Sequence, residues 1–353
     1  RDSFQVISRL SVLGYRDSLP DARQVGRDLG VRFVLEGSVR RNVPRMRISA
    51  RLVDASDGTQ VWAESFDGDL SSSDLFAVQN QITGQVVARV ASEFGVIPRR
   101  LSRESRDKRT NDLSAYEAVL QYHHYNSILT RESHARARAA LEHAVARDPD
   151  YAAAWAALAE VYWDSRTLGL AEIDDAEKKG EDAARRAVAL EPSSQSARWA
   201  LTLTYFHRRR REELLREASR TLELNPNAAH TVGVTGWLIA LSGEWEKGLA
   251  LMDRMRPLHP HAPGWFHVAP FQNHYRQGEY EAAYAEAEQI RMPEFPWDPA
   301  TRAAALGALG RHDEARAAVN ELLALDPGFG GSARQYLHWY VFEPTLLDAL
   351  MDG

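Results

Sequence analysis

No cysteine occurs among the 353 residues, which excludes a disulfide frame, a thiolate nucleophile and a cysteine zinc site. Thiols therefore leave the compartment undecided between cytoplasm and periplasm. Long apolar runs are missing too. No stretch approaches the ~20 apolar residues of a spanning helix, and the amino end lacks an apolar signal core, so no membrane insertion is expected. Charge of one sign is not in marked excess: 43 basic residues stand against 49 acidic, a formal net of -6 spread along the chain, so no nucleic-acid partner is expected through this chain. The glycines of LEGSVRR and DLGVRF have neither phosphate-loop nor dinucleotide-loop spacing. No G-x-S-x-G elbow occurs. These absences predict no catalytic residue, no metal and no cofactor.

What is present is a chain 44% apolar, long enough for two domains. From about residue 113 onward it repeats itself. Pro149, Pro192, Pro226, Pro260, Pro293 and Pro327 are spaced 43, 34, 34, 33 and 34 residues apart, and a period near 34 is that of a helix-turn-helix tetratricopeptide (TPR) unit. The one long spacing carries its surplus around Asp164 to Ile173, expected as an extended turn. Within the units, Trp155, Leu158, Ala159 and Tyr162 recur at helical spacing, and Ala159 is small where a neighbouring helix approaches. Gly243 with Trp245 and Met252, Gly278 with Tyr280, Ala283 and Ala287, and Gly310 with Ala315, Val319 and Leu322 repeat one arrangement: glycine turns, alanine packs, proline stops the second helix. The expectation is an all-α solenoid over 113–353, with about six helix pairs and a capping helix near 335–350.

The first 97 residues follow a different rhythm, predicting a small α+β domain. In RMRISARLVD, Met46, Ile48, Ala50 and Leu52 alternate with Arg45, Arg47, Ser49 and Arg51, as in a half-buried strand. VRFVLEGSVRR before it and TQVWAESFD after it read as antiparallel neighbours, joined at NVPR and at the Asp-Gly turn of ASDG. FQVIS reads as a further strand, Asp21–Leu29 as a short helix, and Asp74 to about Phe94 as a long one. Residues 98–112, charge-rich and without periodicity, read as a linker.

DARQVGRDLGVRFVLEGSVRR, RMRISARLVDASDGTQVWAESFD and DLFAVQNQITGQVV resemble the TolB-N/FlgO-like domain found beside TPR arrays in bacterial signalling proteins. The resemblance covers nearly the whole chain and is nearest to class III adenylate/guanylate cyclases with carboxy-terminal repeats; a related layout occurs in winged-helix regulators of the CadC type. Such proteins carry an earlier strand and helix that are missing here, so the resemblance implies a truncated domain with an exposed edge. Nothing here resembles a cyclase catalytic domain with its paired aspartates. The resemblance therefore implies a non-catalytic regulatory region joined to an output domain upstream of Arg1. The lack of an initiating methionine and the apolar pattern Leu346, Leu347, Leu350 near the end also read as a piece of a longer protein. A cyclase parent implies a cytoplasmic region; a winged-helix parent implies a periplasmic sensor.

Candidate site residues follow from the repeats. His259, His261, His267 and His274 fall within sixteen residues but lack H-E-x-x-H spacing, and Pro263 and Pro270 interrupt them, so they read, like His123-His124, as groove or turn residues. HRRRREELLRE (207–217) reads as a solvated helix start with local ion pairs. The inner surface of the solenoid remains. Positions beside the packing stripe of each first helix are Glu160, Trp163, Asp164, Phe206, His207, Trp237 and Tyr275, and partly exposed aromatics among them suit a protein or peptide partner or a second copy of the chain as homodimer. The rival readings are packing between repeats for Trp163 and Phe206, and a small-molecule sensor in the N-terminal domain.

Overall fold

The computed structural model describes residues 6–15, 20–42, 45–69, 75–92, 95–105, 108–258 and 262–353. The chain divides into two compact units, residues 1–100 and 101–353.

The first unit begins with α1 (Arg9–Val12) and α2 (Ala22–Leu29). Asp21 caps α2 by accepting from the Arg23 amide, and Gly30, at φ 65°, ends it. Strands β1 (Phe33–Asn42), β2 (Arg45–Asp54) and β3 (Thr59–Asp69) form one antiparallel sheet in that order. Gly58, at φ 78°, supplies the left-handed residue of the Asp-Gly turn. The alternation places Met46, Ala50 and Leu52 in the core, where Val78 and Ile82 of α3 (Leu75–Ala91) pack with Met46 and Phe66. Leu35 and Val39 pair with Leu52 and Ile48 and so share that face, yet they are 51% and 61% exposed.

Two expectations fail in this region. Val6, Ile7 and Ser8 form no strand and are exposed; Phe4 and Gln5 lie outside the described residues, as do Val43 and Pro44 of the NVPR turn. The stretch read as a linker contains helix α4 (Val96–Ser105). The buried Ile97 and half-buried Leu101 lie one turn apart with two arginines between them, which masks the period. Arg100 also has a structural task, since with Arg32 it pairs with the fully buried Asp54, at 2.8 and 3.0 Å.

The second unit is a solenoid of helix pairs. They are α5 (Ala115–Ile128) with α6 (Arg131–Arg147), α7 (Ala152–Thr167) with α8 (Ala176–Leu190), and α9 (Gln195–His207) with α10 (Arg211–Leu224). Then come α11 (Ala229–Leu241) with α12 (Trp245–Met255), α13 (Val268–Arg276) with α14 (Tyr280–Ile290), and α15 (Trp297–Ala308) with α16 (His312–Leu325). A seventh pair, α17 (Phe329–His338) and α18 (Pro344–Asp352), follows. First helices of successive pairs touch one another, α5 on α7, α7 on α9, α9 on α11, α11 on α13 and α13 on α15. They therefore form the inner layer of the curve. The long repeat departs from expectation at its turn: α7 stays helical through Asp164 to Thr167, and the connection is 168–175. In α16 Ala315 and Leu322 are buried as expected, while the position between them is taken by Ala318 and Val319 is 39% exposed.

Gly243, Gly278 and Gly310 close three of the intra-pair turns at φ 101°, 77° and 73°. After each, the next residue's amide bonds the carbonyl five residues back. The α9–α10 turn has the same bonding, from the Arg210 amide to the Tyr205 carbonyl, but its left-handed residue is Arg209, at φ 56°. A left-handed side chain costs about 1 kcal/mol that glycine avoids.

Small residues set how close the helices lie. Ala156 and Ala159 of α7 share a core with Ala183, Ala184 and Ala187 of α8 and Ala197 and Ala200 of α9. A leucine at position 159, which is fully buried, is expected to cost about 1–3 kcal/mol through overpacking. Ala315→Leu falls in the same range. Urea midpoints of the two variants check this, and unchanged midpoints would mean that neither alanine marks a close approach.

Candidate binding site

All seven candidate groove residues are buried: Glu160, Trp163, Asp164, Phe206, His207, Trp237 and Tyr275. Trp163 packs between repeats. Its Nε1 donates to Thr204 Oγ1 at 3.1 Å, and its ring stacks on His207 at 5.1 Å. His207 is deeply buried, and burial lowers its pKa to about 3, so the ring is neutral and packs as an aromatic.

What covers these side chains is the chain's own end. Tyr340 lies 6.2 Å from Phe206, 5.5 Å from His207 and 5.7 Å from Trp237, ring to ring. Its hydroxyl pairs with Thr167 Oγ1 at 3.0 Å. Phe342 packs on Phe206 at 4.8 Å. Trp245 Nε1 donates to Glu343 Oε1 at 2.6 Å, and the Tyr275 hydroxyl to the Ala349 carbonyl at 3.1 Å. Helix α18 then packs on α13 and α15. Residues 339–353 thus lie along the inner layer as a bound segment would.

The basic run is largely consumed in pairing. Arg208 meets Glu177 and Glu181, Arg210 meets Glu213, and Arg211 meets Glu244. Arg209 does something else: its guanidinium sits 3.9 Å over the Phe342 ring and donates to the Val341 carbonyl at 3.1 Å. Burial lowers its pKa to about 10. Arg209, which stands where Gly243, Gly278 and Gly310 stand in their own turns, therefore uses its side chain to hold the C-terminal segment.

Beneath Tyr340 lies a cavity of about 60 Å³. Three of the candidates line it, Glu160, Asp164 and Trp237, together with Trp199, Trp265 and Trp297, which sequence reasoning missed. Trp199 and Trp297 sit near the starts of their first helices, as Trp155 does, which was a readable signal. Trp265 lies in the 3₁₀ turn Gly264–His267 and gave none. The carboxylates stand one turn apart on α7. Glu160 accepts from the Tyr122 hydroxyl at 2.9 Å and Asn126 Nδ2 at 2.5 Å, and Asp164 accepts from the Tyr125 hydroxyl at 2.6 Å. Burial raises the Asp164 pKa to about 7.

One named relative shares part of this sequence. It is "Putative adenylate cyclase 3" of Rhizobium meliloti (strain 1021), 41% identical over 157 residues, which are 43% of this chain and 25% of that protein. The chain therefore spans about a quarter of that relative's length. No family model matches the chain. Among solved structures, that of MamA protein is similar at 16% identity, covering 61% of this chain and 95% of that one with a TM-score of 0.25.

The histidine group does not assemble on the described residues. His267 and His274 each pair with a different carboxylate, Glu286 and Glu279, both at 2.6 Å, and His259 and His261 lie outside the described residues. No helix among the described residues is long and apolar enough to cross a membrane.

Proposed function

We propose that this chain is a protein-interaction and regulatory region of a bacterial signalling protein, the C-terminal part of an adenylate cyclase-like parent, with a TolB-N/FlgO-like domain before its repeats. Its inner layer docks a segment made of a short non-helical stretch and a helix, and residues 339–353 are the resident occupant. A partner peptide, or the same segment from a second copy, would compete for that place.

The observation that carries this reading is Arg209. A glycine there would relieve the backbone, as at Gly243, Gly278 and Gly310; an arginine holds the Val341 carbonyl and the Phe342 ring instead. The test uses the whole chain and a labelled peptide with the sequence of residues 339–353. Phe342→Ala with Glu343→Ala loosens the resident segment without touching Tyr340. The peptide is expected to bind this variant at least about tenfold more tightly than the unaltered chain, ~1.4 kcal/mol. Adding Arg209→Gly is expected to reverse that gain. Equal binding to all three chains rejects the reading.

The purified chain is expected to form no cyclic nucleotide from ATP or GTP with any divalent metal, because no aspartate pair or phosphate loop is legible in its sequence. Chromatographic detection of cyclic nucleotide above a heat-killed control would place catalysis in these residues after all.

A further inference from the structure

We propose that the cavity under Tyr340 is a binding site for a small primary amine in its ammonium form. Four tryptophans and Tyr340 turn a mostly aromatic wall toward it, and aromatic faces attract cations. Its polar lining is acidic or neutral: Glu160, Asp164, Asn126 and the Trp237 Nε1, a donor without a hydrogen-bond partner, are there, and no lysine, arginine or histidine is. Asp164 forms no ion pair among the described residues, and burying a carboxylate away from positive charge is unfavourable unless something compensates it.

An independent observation points to a ligand. Asn126 is 5% exposed and lines the cavity, yet its Oδ1 has no hydrogen-bond partner. The side chain cannot be turned to hide this, because Nδ2 must face Glu160 Oε1 to donate to it. Two carboxylates and one amide oxygen therefore offer acceptors on one side of an apolar chamber. A primary ammonium brings three N–H donors and one positive charge, which matches that set; a quaternary ammonium brings none of the donors. Volume limits the rest to a short alkyl tail. Trp199 and Trp265 are half-buried while the other lining residues are buried, which marks those two as the rim. The inference rests on residues 339–353 lying where the structure shows them, since Tyr340 is part of the wall, but not on their exchange for a partner segment.

The test is thermal unfolding and calorimetric titration of the whole chain at pH 8 with n-butylammonium chloride, 1-butanol, choline chloride and Nα-acetyl-lysinamide as separate probes. Butylammonium is expected to raise Tm saturably, with 1-butanol and choline giving smaller shifts, and Asp164→Asn is expected to weaken butylammonium at least about tenfold. Failure of butylammonium to bind overturns the proposal. So does an equal effect of 1-butanol, which would make this a simple apolar void, or a larger effect of choline, which would make it an aromatic cage without the acceptor set. Binding of the lysine derivative but not the free amine also overturns it, assigning the pocket to a partner's side chain.

Discussion

Tyr340→Ala is expected to lose about 3–5 kcal/mol of folding stability, the cost of truncating a fully packed aromatic. The ring sits among Phe206, His207, Trp237 and Trp297 and roofs the cavity, so four rings lose a neighbour at once. Tyr340→Phe separates packing from the hydroxyl. It leaves the buried Thr167 without its partner across 3.0 Å and is expected to cost about 1–3 kcal/mol. Denaturant titrations of both variants read this directly. A loss below about 1 kcal/mol for the alanine variant would mean that residues 339–353 are not docked in solution.

Asp164→Asn is expected to stabilise the protein, with a gain that depends on pH. In the folded chain burial holds the Asp164 carboxyl at a pKa of about 7, against about 3.9 when unfolded. Between these values the folded state binds more protons than the unfolded one, so this group's contribution to stability falls as pH rises from about 4 to 7 and is level above that. The groups facing it are Tyr125, which donates to it, Glu160 one turn away, and Tyr336 and Tyr340, whose own pKa values are raised by burial and then by its charge; none supplies a positive charge. Asparagine keeps an acceptor for Tyr125 and cannot ionise. The variant is expected to match the parent near pH 4 and exceed it by about 2 kcal/mol or more at pH 8. Parallel stability curves for the two proteins from pH 5 to 8 would show that Asp164 titrates as an ordinary carboxylate.

The repeat architecture was legible because each unit carries its own local punctuation. Gly243, Gly278 and Gly310 mark turns, and Pro149, Pro192 and Pro327 mark helix ends, all through backbone conformations that neighbours cannot override. The β2 alternation was legible for the same reason. The linker reading failed because α4 has few apolar positions beside its three arginines and is held by Arg100 on Asp54, a partner 46 positions away. The candidate groove residues were chosen from periodicity within single helices, which locates the inner layer but not what lies against it. No local pattern says that Arg209 will meet Val341 or that Asn126 and Trp265 will share a hydrogen bond at 3.0 Å. Such pairings depend on how the curve of the whole array closes.

That closure changes how the array comes apart. Repeat proteins are ordinarily quasi-one-dimensional, each unit touching its neighbours, so that ends fray and folding can start anywhere and spread. Here Trp265 bonds the Asn126 carbonyl across 139 residues, and Tyr340 meets Thr167 across 173. The first, middle and last pairs are tied through one aromatic centre, so amide protons of α5 and α15 should exchange through a shared opening rather than through separate fraying. Contacts of such long sequence separation also slow folding: on a ribosome, the first pairs can form early but cannot acquire their inner lining until α18 has been synthesised.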